Sequence, residues 1–195
     1  MAKLYFKYGA MGSSKTAQAL ITRFNYVERG MRVWLIKPAT DNRDGCFRVT
    51  SRVGLSEECT PIYENDDIFN IFQSEHSYAD VVIADESQFF TIEQIDQLRG
   101  IVNEYGIPVI CFGLRTDFRT KLFPGSLRLF EVADTFHEII TMCACGKKAT
   151  VNARLLGNKV VTDGEQIMIG GNESYLAMCH ACYVKRIRGE KTNGN

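Results

Sequence analysis

The amino-acid sequence lacks a net charge, a long apolar run and an export segment. Its 195 residues include 23 Lys+Arg and 23 Asp+Glu. This balance disfavours a dominant binder of the nucleic-acid backbone, although a local basic patch stays open. No apolar run approaches the ~20 residues that a membrane-spanning helix needs. The chain passes from Met1 into a short apolar stretch without the apolar segment of a signal peptide, so we expect a cytoplasmic protein.

The rest of the composition is that of an ordinary folded domain. Charged residues make up 24% of the chain and aromatic residues 11%, which disfavours disorder over the whole chain. The length fits one domain, or one domain with a small appendage. Because we expect a reducing compartment, the seven cysteines are more readily interpreted as metal ligands or core thiols than as disulfides.

Short apolar strands alternate with helical periods from residue 3 to about residue 140. This alternation predicts an α/β fold with a doubly wound, mostly parallel sheet. The predicted strands are 3–8, 31–37, 80–84, 107–112 and 136–140, and the predicted helices are 15–29, 66–73, 91–104 and 127–132. Thr91 is a plausible helix N-cap, and the polar segment 41–52 predicts a mobile loop.

The character of the chain changes after Met142, where cysteines, glycines and short β-like pieces follow. We therefore expect a nucleotide-binding α/β domain over residues 1–141 and a small zinc-binding domain over 142–184. The basic, polar segment 185–195 predicts a flexible tail.

A phosphate-binding loop is predicted at the end of the first strand. Residues 9–16 read GAMGSSKT and nearly match G-x-x-x-x-G-K-[ST], with Ser14 where the second glycine usually stands. In such a loop the backbone N–H groups surround a phosphate, the lysine reaches the β/γ oxygens and the hydroxyl binds Mg²⁺. The alternative is a glycine-rich strand-to-helix turn, which the flanking strand and helix disfavour. The expected nucleotide-binding residues are Gly9, Ala10, Met11, Gly12, Ser13, Ser14, Lys15 and Thr16.

Two acidic residues follow the apolar strand 80–84. Carboxyl ends of strands in α/β sheets are where ligands bind. Asp85 is therefore expected to hold Mg²⁺, directly or through water, and Glu86 to take a proton from an attacking hydroxyl. An acidic strand end or helix cap is the alternative, but the phosphate loop makes the functional interpretation stronger.

Two closely spaced cysteine pairs, C-x-C and C-x-x-C, predict a zinc ribbon. The expected ligands are Cys143, Cys145, Cys179 and Cys182. Four protein ligands leave no open coordination position, so the zinc should be structural. His180 could replace one sulfur, and the three other cysteines are expected to be ordinary thiols.

In this order the motifs resemble those of the type II thymidine kinases, over nearly the whole chain from Leu4 to about Tyr183. Besides the phosphate loop and the cysteine pairs, the resemblance rests on DNR at 41–43, DESQFF at 85–90, FGLRTDFR at 112–119 and GEQIMIGGNESY at 164–175. Two departures stand out, Ser14 in the phosphate loop and Asn152, where some relatives carry a threonine near the base.

The resemblance implies transfer of the ATP γ-phosphoryl group to the 5′-hydroxyl of thymidine, which gives thymidine monophosphate. It implies that Glu86 is the catalytic base, that Asp41 contacts the deoxyribose and that Arg43 lies near the phosphates. The residues that it implies around the thymidine are Met11, Asp41, Gln88, Phe89, Leu114, Phe118, Phe123, Asn152, Met168, Ile169, Gly170 and Tyr175. The alternatives are that the three phenylalanines are core aromatics and that Asp41 and Arg43 form an ordinary loop ion pair.

In the family, the stretch between the cysteine pairs forms a lasso-like loop over the base. A zinc ion below that loop would anchor both of its ends. The resemblance also implies a homotetramer and feedback inhibition by thymidine triphosphate. ATP, Mg²⁺ and structural Zn²⁺ are thus the expected cofactors, with no membrane and no nucleic-acid polymer as partner.

Two other functions stay open from the sequence. The first is a P-loop ATPase with a structural zinc ribbon, in which Glu86 activates water. The second is a non-enzymatic zinc-ribbon module that binds nucleic acid, which the zero net charge disfavours.

Overall fold

Parallel strands form the main sheet of the computed structural model, which describes residues 1–42, 45–157, 159–166 and 174–190. The strands in chain order are β1 (Leu4–Gly9), β2 (Val33–Pro38), β3 (Arg48–Thr50), β4 (Ser56–Glu58), β5 (Thr60–Ile62), β6 (Val81–Ala84), β7 (Val109–Leu114), β8 (Thr135–Glu138), β9 (Val151–Leu156), β10 (Lys159–Val161) and β11 (Tyr175–Met178). Six of those described are joined in parallel in the order β5-β2-β6-β7-β1-β8. The predicted α/β class with a parallel sheet is confirmed.

Helices connect these strands, and at least one of them begins at a capping residue that is recognisable in the sequence. The α-helices in the described part of the chain are α1 (Lys15–Val27), α2 (Ile68–Ile71), α3 (Ile92–Tyr105), α4 (Pro124–Val132) and α5 (His180–Ile187). The predicted cap of α3 is confirmed: Thr91 accepts from the N–H of Gln94, whose side chain accepts from the N–H of Thr91. This reciprocal pair satisfies two N–H groups that no helical carbonyl can reach.

The sheet separates two apolar layers. On one side, Ala19 and Leu20 of α1 pack with Ile83 and Phe112. On the other side, a larger cluster joins the sheet to the helices that follow it, with Leu98 of α3 fully buried. Strands buried on both faces carry nearly continuous apolar sequence, which is why their positions could be predicted well.

The predicted mobile loop over 41–52 is wrong for its last part. Strand β3 pairs antiparallel with β4, and Val49 is buried against the α1 side of the sheet. The polar composition of the segment does not indicate a strand, because Val49 alone makes the apolar contact. The strand that pairs with β3, β4, lies outside the segment.

A small antiparallel sheet follows the main one, in the order β10-β9-β11. It has a buried cluster of its own, in which Val151 and Met178 pack with Tyr183 and the cysteines. Helix α5 ends this region at Ile187 and so includes residues 185–187 of the predicted tail 185–195. Among the described residues, no helix has the length and apolarity that a bilayer crossing requires.

Candidate active site

The phosphate loop connects β1 to α1 at the carboxyl edge of the sheet. Lys15 is almost fully buried, and its ammonium group donates to the carbonyl oxygen of Ala10 at 2.9 Å and to Ser13 Oγ at 3.4 Å. The lysine thus lies across the interior of its own loop. Its charge is therefore held where a bound phosphate would approach the start of α1.

The loop conformation explains how serine replaces glycine at position 14. Ser14 has a φ of 62° and Gly12 has a φ of 73°, both in the left-handed region. Serine bears some strain there, which is common at ligand-binding sites. Gly9 is needed for another reason, because a Cβ would lie 2.4 Å from the carbonyl oxygen of Ile139. The first residue of the loop is thus fixed against the chain that follows β8.

Asp85 directly follows β6 beside this loop and is 3% exposed. Burial, with the neighbouring charge of Glu86, raises the pKa of Asp85 to about 7, while a hydrogen bond with the Thr16 side chain and the charge of Lys15 oppose the rise. A bound divalent cation would favour the carboxylate strongly. Asp85 and Thr16 therefore place two oxygen atoms side by side, and oxygen atoms are the ligands that Mg²⁺ prefers.

Glu86 is held by its backbone and by a neighbouring amide. Its φ of 48° and ψ of 35° are left-handed, a conformation that a non-glycine residue keeps only when its surroundings enforce it. Gln88 donates to Glu86 Oε2 at 2.6 Å, and its own carbonyl accepts from the Leu114 N–H at 2.8 Å. The Glu86 carboxylate is thus oriented by a residue that is itself fixed to β7.

Two glycines let the turn after Glu86 pack tightly. A Cβ on Gly113 would lie 2.7 Å from Ser87 Oγ, and a Cβ on Gly125 would lie 2.7 Å from the backbone carbonyl of Ser87. Both contacts are too close for any side chain. The ends of β7 and α4 therefore fix the turn that carries the Glu86 carboxylate.

A cavity of about 510 Å³ opens at this edge of the sheet. Its volume is within the range of small-molecule sites. It brings together most of the residues predicted from the sequence. Those that line it are Met11, Gly12, Ser14, Lys15, Thr16, Asp41, Asp85, Glu86, Gln88, Phe89, Leu114, Phe118, Phe123, Asn152 and Tyr175.

Aromatic rings form one wall of the cavity. Phe89 and Phe123 meet edge to face with their ring centroids 5.5 Å apart, and Phe118 is 1% exposed. Such a wall suits a flat apolar ligand. Packing and ligand contact are compatible for these rings, since Phe118 and Phe123 are buried, Phe89 is half-buried, and all three line the cavity.

Arg154 organises the same wall from behind, and no motif in the sequence marks it. Its guanidinium lies 3.7 Å from the centroid of the Phe118 ring and donates to the Tyr175 hydroxyl at 2.8 Å. It also donates to the carbonyl oxygens of Glu165 at 3.0 Å and Gln166 at 3.4 Å. One buried cation therefore fixes a cavity residue on β11 and the segment that follows β10.

Lys37, near the end of β2, lines the cavity and likewise belongs to no motif in the sequence. It is 2% exposed and its ammonium lies 3.8 Å from Asp41 Oδ2. The predicted sugar contact, Asp41, thus has a cation beside it. The predicted phosphate contact, Arg43, falls outside the described residues, as do Met168, Ile169 and Gly170.

Asn152 lies on β9 and reaches the phosphate loop. Its Oδ1 accepts from the Met11 N–H at 2.7 Å, and its Nδ2 donates to the carbonyl oxygen of Thr116 at 2.9 Å. The small sheet is thereby joined to the phosphate loop and to the chain that follows β7.

The four paired cysteines meet in one cluster. The Sγ atoms of Cys143, Cys145, Cys179 and Cys182 all lie within 4.8 Å of one another. A tetrahedral zinc ion with Zn–S bonds of 2.3 Å separates its sulfurs by about 3.8 Å. Hydrogen bonding among the thiols raises the pKa of Cys182, and a cation between them would reverse that shift. The four-cysteine cluster therefore fits zinc, and His180 is not among its members.

Comparisons with known proteins agree over nearly the whole chain. A family model described as thymidine kinase matches residues 2–183. The chain belongs to the thymidine kinase family. Thymidine kinase activity follows for this enzyme from full-length similarity, at 42–45% identity, to the relatives compared.

Several thymidine kinases illustrate that similarity. The thymidine kinase of Legionella pneumophila (strain Lens) is 44% identical over 199 residues, which cover 100% of this chain and 95% of the relative. That of Rhizobium meliloti (strain 1021) is 42% identical over 96% of this chain and 99% of the relative. That of Enterobacteria phage T4 is 44% identical over 92% and 94% respectively.

Proposed function

We propose that this thymidine kinase family member transfers the γ-phosphoryl group of ATP to the 5′-hydroxyl of thymidine, with Glu86 as the base. The observation that carries the proposal is the single cavity that joins the phosphate loop, the Asp85–Glu86 pair and the aromatic wall. A phosphate donor and a flat base acceptor could therefore occupy adjoining ends of one site. Phosphoryl transfer requires chiefly such positioning, together with neutralisation of charge.

At the phosphate end, Lys15 would turn from the Ala10 carbonyl to the β/γ oxygens of ATP. Thr16 and Asp85 are the residues that would hold Mg²⁺. When bound, Mg²⁺ neutralises charge on the β- and γ-phosphates. Arg43, by family resemblance, would add positive charge near the phosphates.

At the acceptor end, Glu86 would orient the 5′-hydroxyl and remove its proton. Its carboxylate is held by Gln88, so that it needs little reorganisation when the hydroxyl arrives. Asp41 would bind the deoxyribose hydroxyl, and the Lys37 ammonium lies 3.8 Å from Asp41 Oδ2.

The thymine would pack between the aromatic wall and the small sheet. Met11, Leu114 and Tyr175 complete the apolar lining, and backbone groups at 168–170 would bind the edge of the base, as the family resemblance implies. Bases with a different pattern of donors would leave buried partners unpaired, which is a strong source of discrimination.

We further propose that residues 142–184 act as a zinc-anchored unit in a homotetramer inhibited by thymidine triphosphate. The cysteine cluster supports the first part. An exposed apolar stripe on α1, formed by Ile21, Phe24 and Val27, offers a surface that subunits could bury. Light scattering after gel filtration measures the oligomer, and inhibition assays at fixed thymidine measure the feedback.

A panel of the common nucleosides with Mg·ATP tests the function directly. We expect monophosphate formation from thymidine, with one ADP released for each monophosphate formed. ADP release that ignores thymidine and yields free phosphate would instead favour the P-loop ATPase. Salt-sensitive binding of oligonucleotides without turnover would favour the nucleic-acid-binding module.

The Arg154→Met variant is expected to raise the KM for thymidine about tenfold or more, because hydrogen bonds from a charged donor are worth roughly 1.5–3 kcal/mol each. Methionine keeps much of the apolar contact with Phe118 and loses every donor. The KM for ATP should change little, since Arg154 contacts the base wall and not the phosphate loop. Steady-state kinetics with each substrate varied in turn measure both constants.

The matched control is Arg128→Met on α4, which removes a surface arginine paired with Asp96 and Glu131. Exposed pairs contribute little, so both KM values should remain close to those of the wild-type protein. An unchanged thymidine KM in Arg154→Met would exclude Arg154 from organising the base pocket.

A further inference from the structure

We infer that Asn152 is a positioning residue that couples thymidine binding to ATP binding, because its side chain joins the small sheet to the phosphate loop. This inference rests on the proposed function, since it concerns the two substrates of that reaction. The residue is 3% exposed, and both ends of its amide are bonded to protein backbone. Its role is therefore to fix the positions of other groups.

The first partner of Asn152 belongs to the nucleotide site. The N–H of Met11 donates to Oδ1, and Met11 is the third residue of the phosphate loop, four positions before Lys15. A hydrogen bond at this point fixes the loop between its two glycines, Gly9 and Gly12. The loop conformation that meets the phosphates thus depends on where Asn152 lies.

The second partner and the neighbours of Asn152 belong to the base pocket. Its Nδ2 donates to the Thr116 carbonyl, two residues before Phe118. On β9 it is followed two residues later by Arg154, which holds the rear of the aromatic wall. On β11, Ala177 is paired with Asn152, and Tyr175 with Arg154. Thymidine packed on that wall would therefore hold β9 in position.

Coupling follows from these shared contacts. Each substrate favours the arrangement in which β9 is docked on the phosphate loop. The first substrate to bind therefore bears the conformational entropy loss of ordering β9, and the second substrate binds more tightly. Coupling of this kind is reciprocal and typically amounts to 5–150-fold in affinity. The sign is positive, because both sites use the same bond in the same position.

The test measures the Kd of a non-hydrolysable ATP analogue with Mg²⁺, without and with saturating thymidine, by calorimetry. In the wild-type protein we expect thymidine to tighten the analogue at least about fivefold. In Asn152→Ala the factor should fall to within about twofold of one, and the effect of the analogue on the Kd of thymidine should fall equally. A merely structural role would lower the melting temperature and leave the coupling factor unchanged.

The matched control is Gln94→Ala. Gln94 is also a buried amide bonded to backbone at both ends, at Thr91 and Tyr63, and it does not line the cavity. Its loss should lower stability and keep the coupling. If Asn152→Ala does not fold, Asn152→Leu replaces it in the same assay. Leucine has a similar volume and removes both the acceptor and the donor, so the coupling factor should again fall to within about twofold of one.

Two results would overturn the inference: wild-type turnover of thymidine without coupling, or full coupling in the folded Asn152 variant. A wild-type protein that does not phosphorylate thymidine would instead contradict the proposed function. The two failures are therefore distinguishable.

Discussion

Replacing Glu86 by glutamine is expected to lower the kcat of thymidine phosphorylation by about 10²–10⁴-fold, the usual contribution of a positioned general base. Glutamine has nearly the same shape and can still meet the Gln88 side chain, but it cannot take the proton of the 5′-hydroxyl. The Kd of Mg·ATP should remain within about threefold of the wild-type value, since the phosphate loop keeps its contacts. Single-turnover kinetics and a binding titration separate the two effects.

The control for this variant is Glu93→Gln, in the exposed first turn of α3. It removes the same charge from the same residue type and should leave kcat unchanged. If Glu86→Gln turned over at a near-normal rate, the base would have to be another group, and the held carboxylate of Glu86 would need a different explanation.

Loss of the zinc ion proposed for the four-cysteine cluster is the second large effect that we expect. Cys179→Ala removes one thiolate and should abolish stoichiometric zinc, because three ligands do not close a structural site. Structural zinc contributes folding free energy directly, about 10–16 kcal/mol in zinc-finger peptides. The small sheet should therefore open, and turnover at low thymidine concentration should fall at least tenfold. Metal analysis and hydrogen exchange over 143–187 give the two readouts.

Cys46→Ser serves as the control, since Cys46 lies outside the cluster. About one zinc per chain and wild-type kinetics are expected for it. A zinc-free preparation that retained full activity at low thymidine concentration would contradict the anchoring role of the cluster.

The sequence predicted those parts of the site whose signals are local. The phosphate loop lies between a strand and a helix that are each recognisable from the pattern of their apolar residues. The acidic pair, Asp85 and Glu86, directly follows a buried strand. The two cysteine pairs predict that their four sulfurs lie together, since two such closely spaced pairs in a reducing compartment are typical of a zinc site. Family resemblance then supplied the residues of the base pocket.

The remaining features depend on contacts between distant segments, which no local pattern carries. Arg154 functions through carbonyl oxygens at 165 and 166 and through a ring at 118, and any exposed arginine would look the same in sequence. Lys37 lies near the end of an otherwise apolar strand, and no local pattern indicates its burial beside Asp41. The β3–β4 hairpin likewise depends on Val49 packing with α1 on the same face of the main sheet.

The position of β1 in the sheet also bears on the order in which the molecule can form. This N-terminal strand pairs with β7 and β8. Those strands lie more than a hundred residues later in the sequence and are therefore synthesised much later than β1. Until then the phosphate loop has no neighbouring strands, and Gly9 lacks the contact with residue 139 that fixes it. Contacts so distant in sequence slow folding. Nucleotide affinity should therefore appear late during synthesis, and nascent chains that end before residue 139 should not bind ATP.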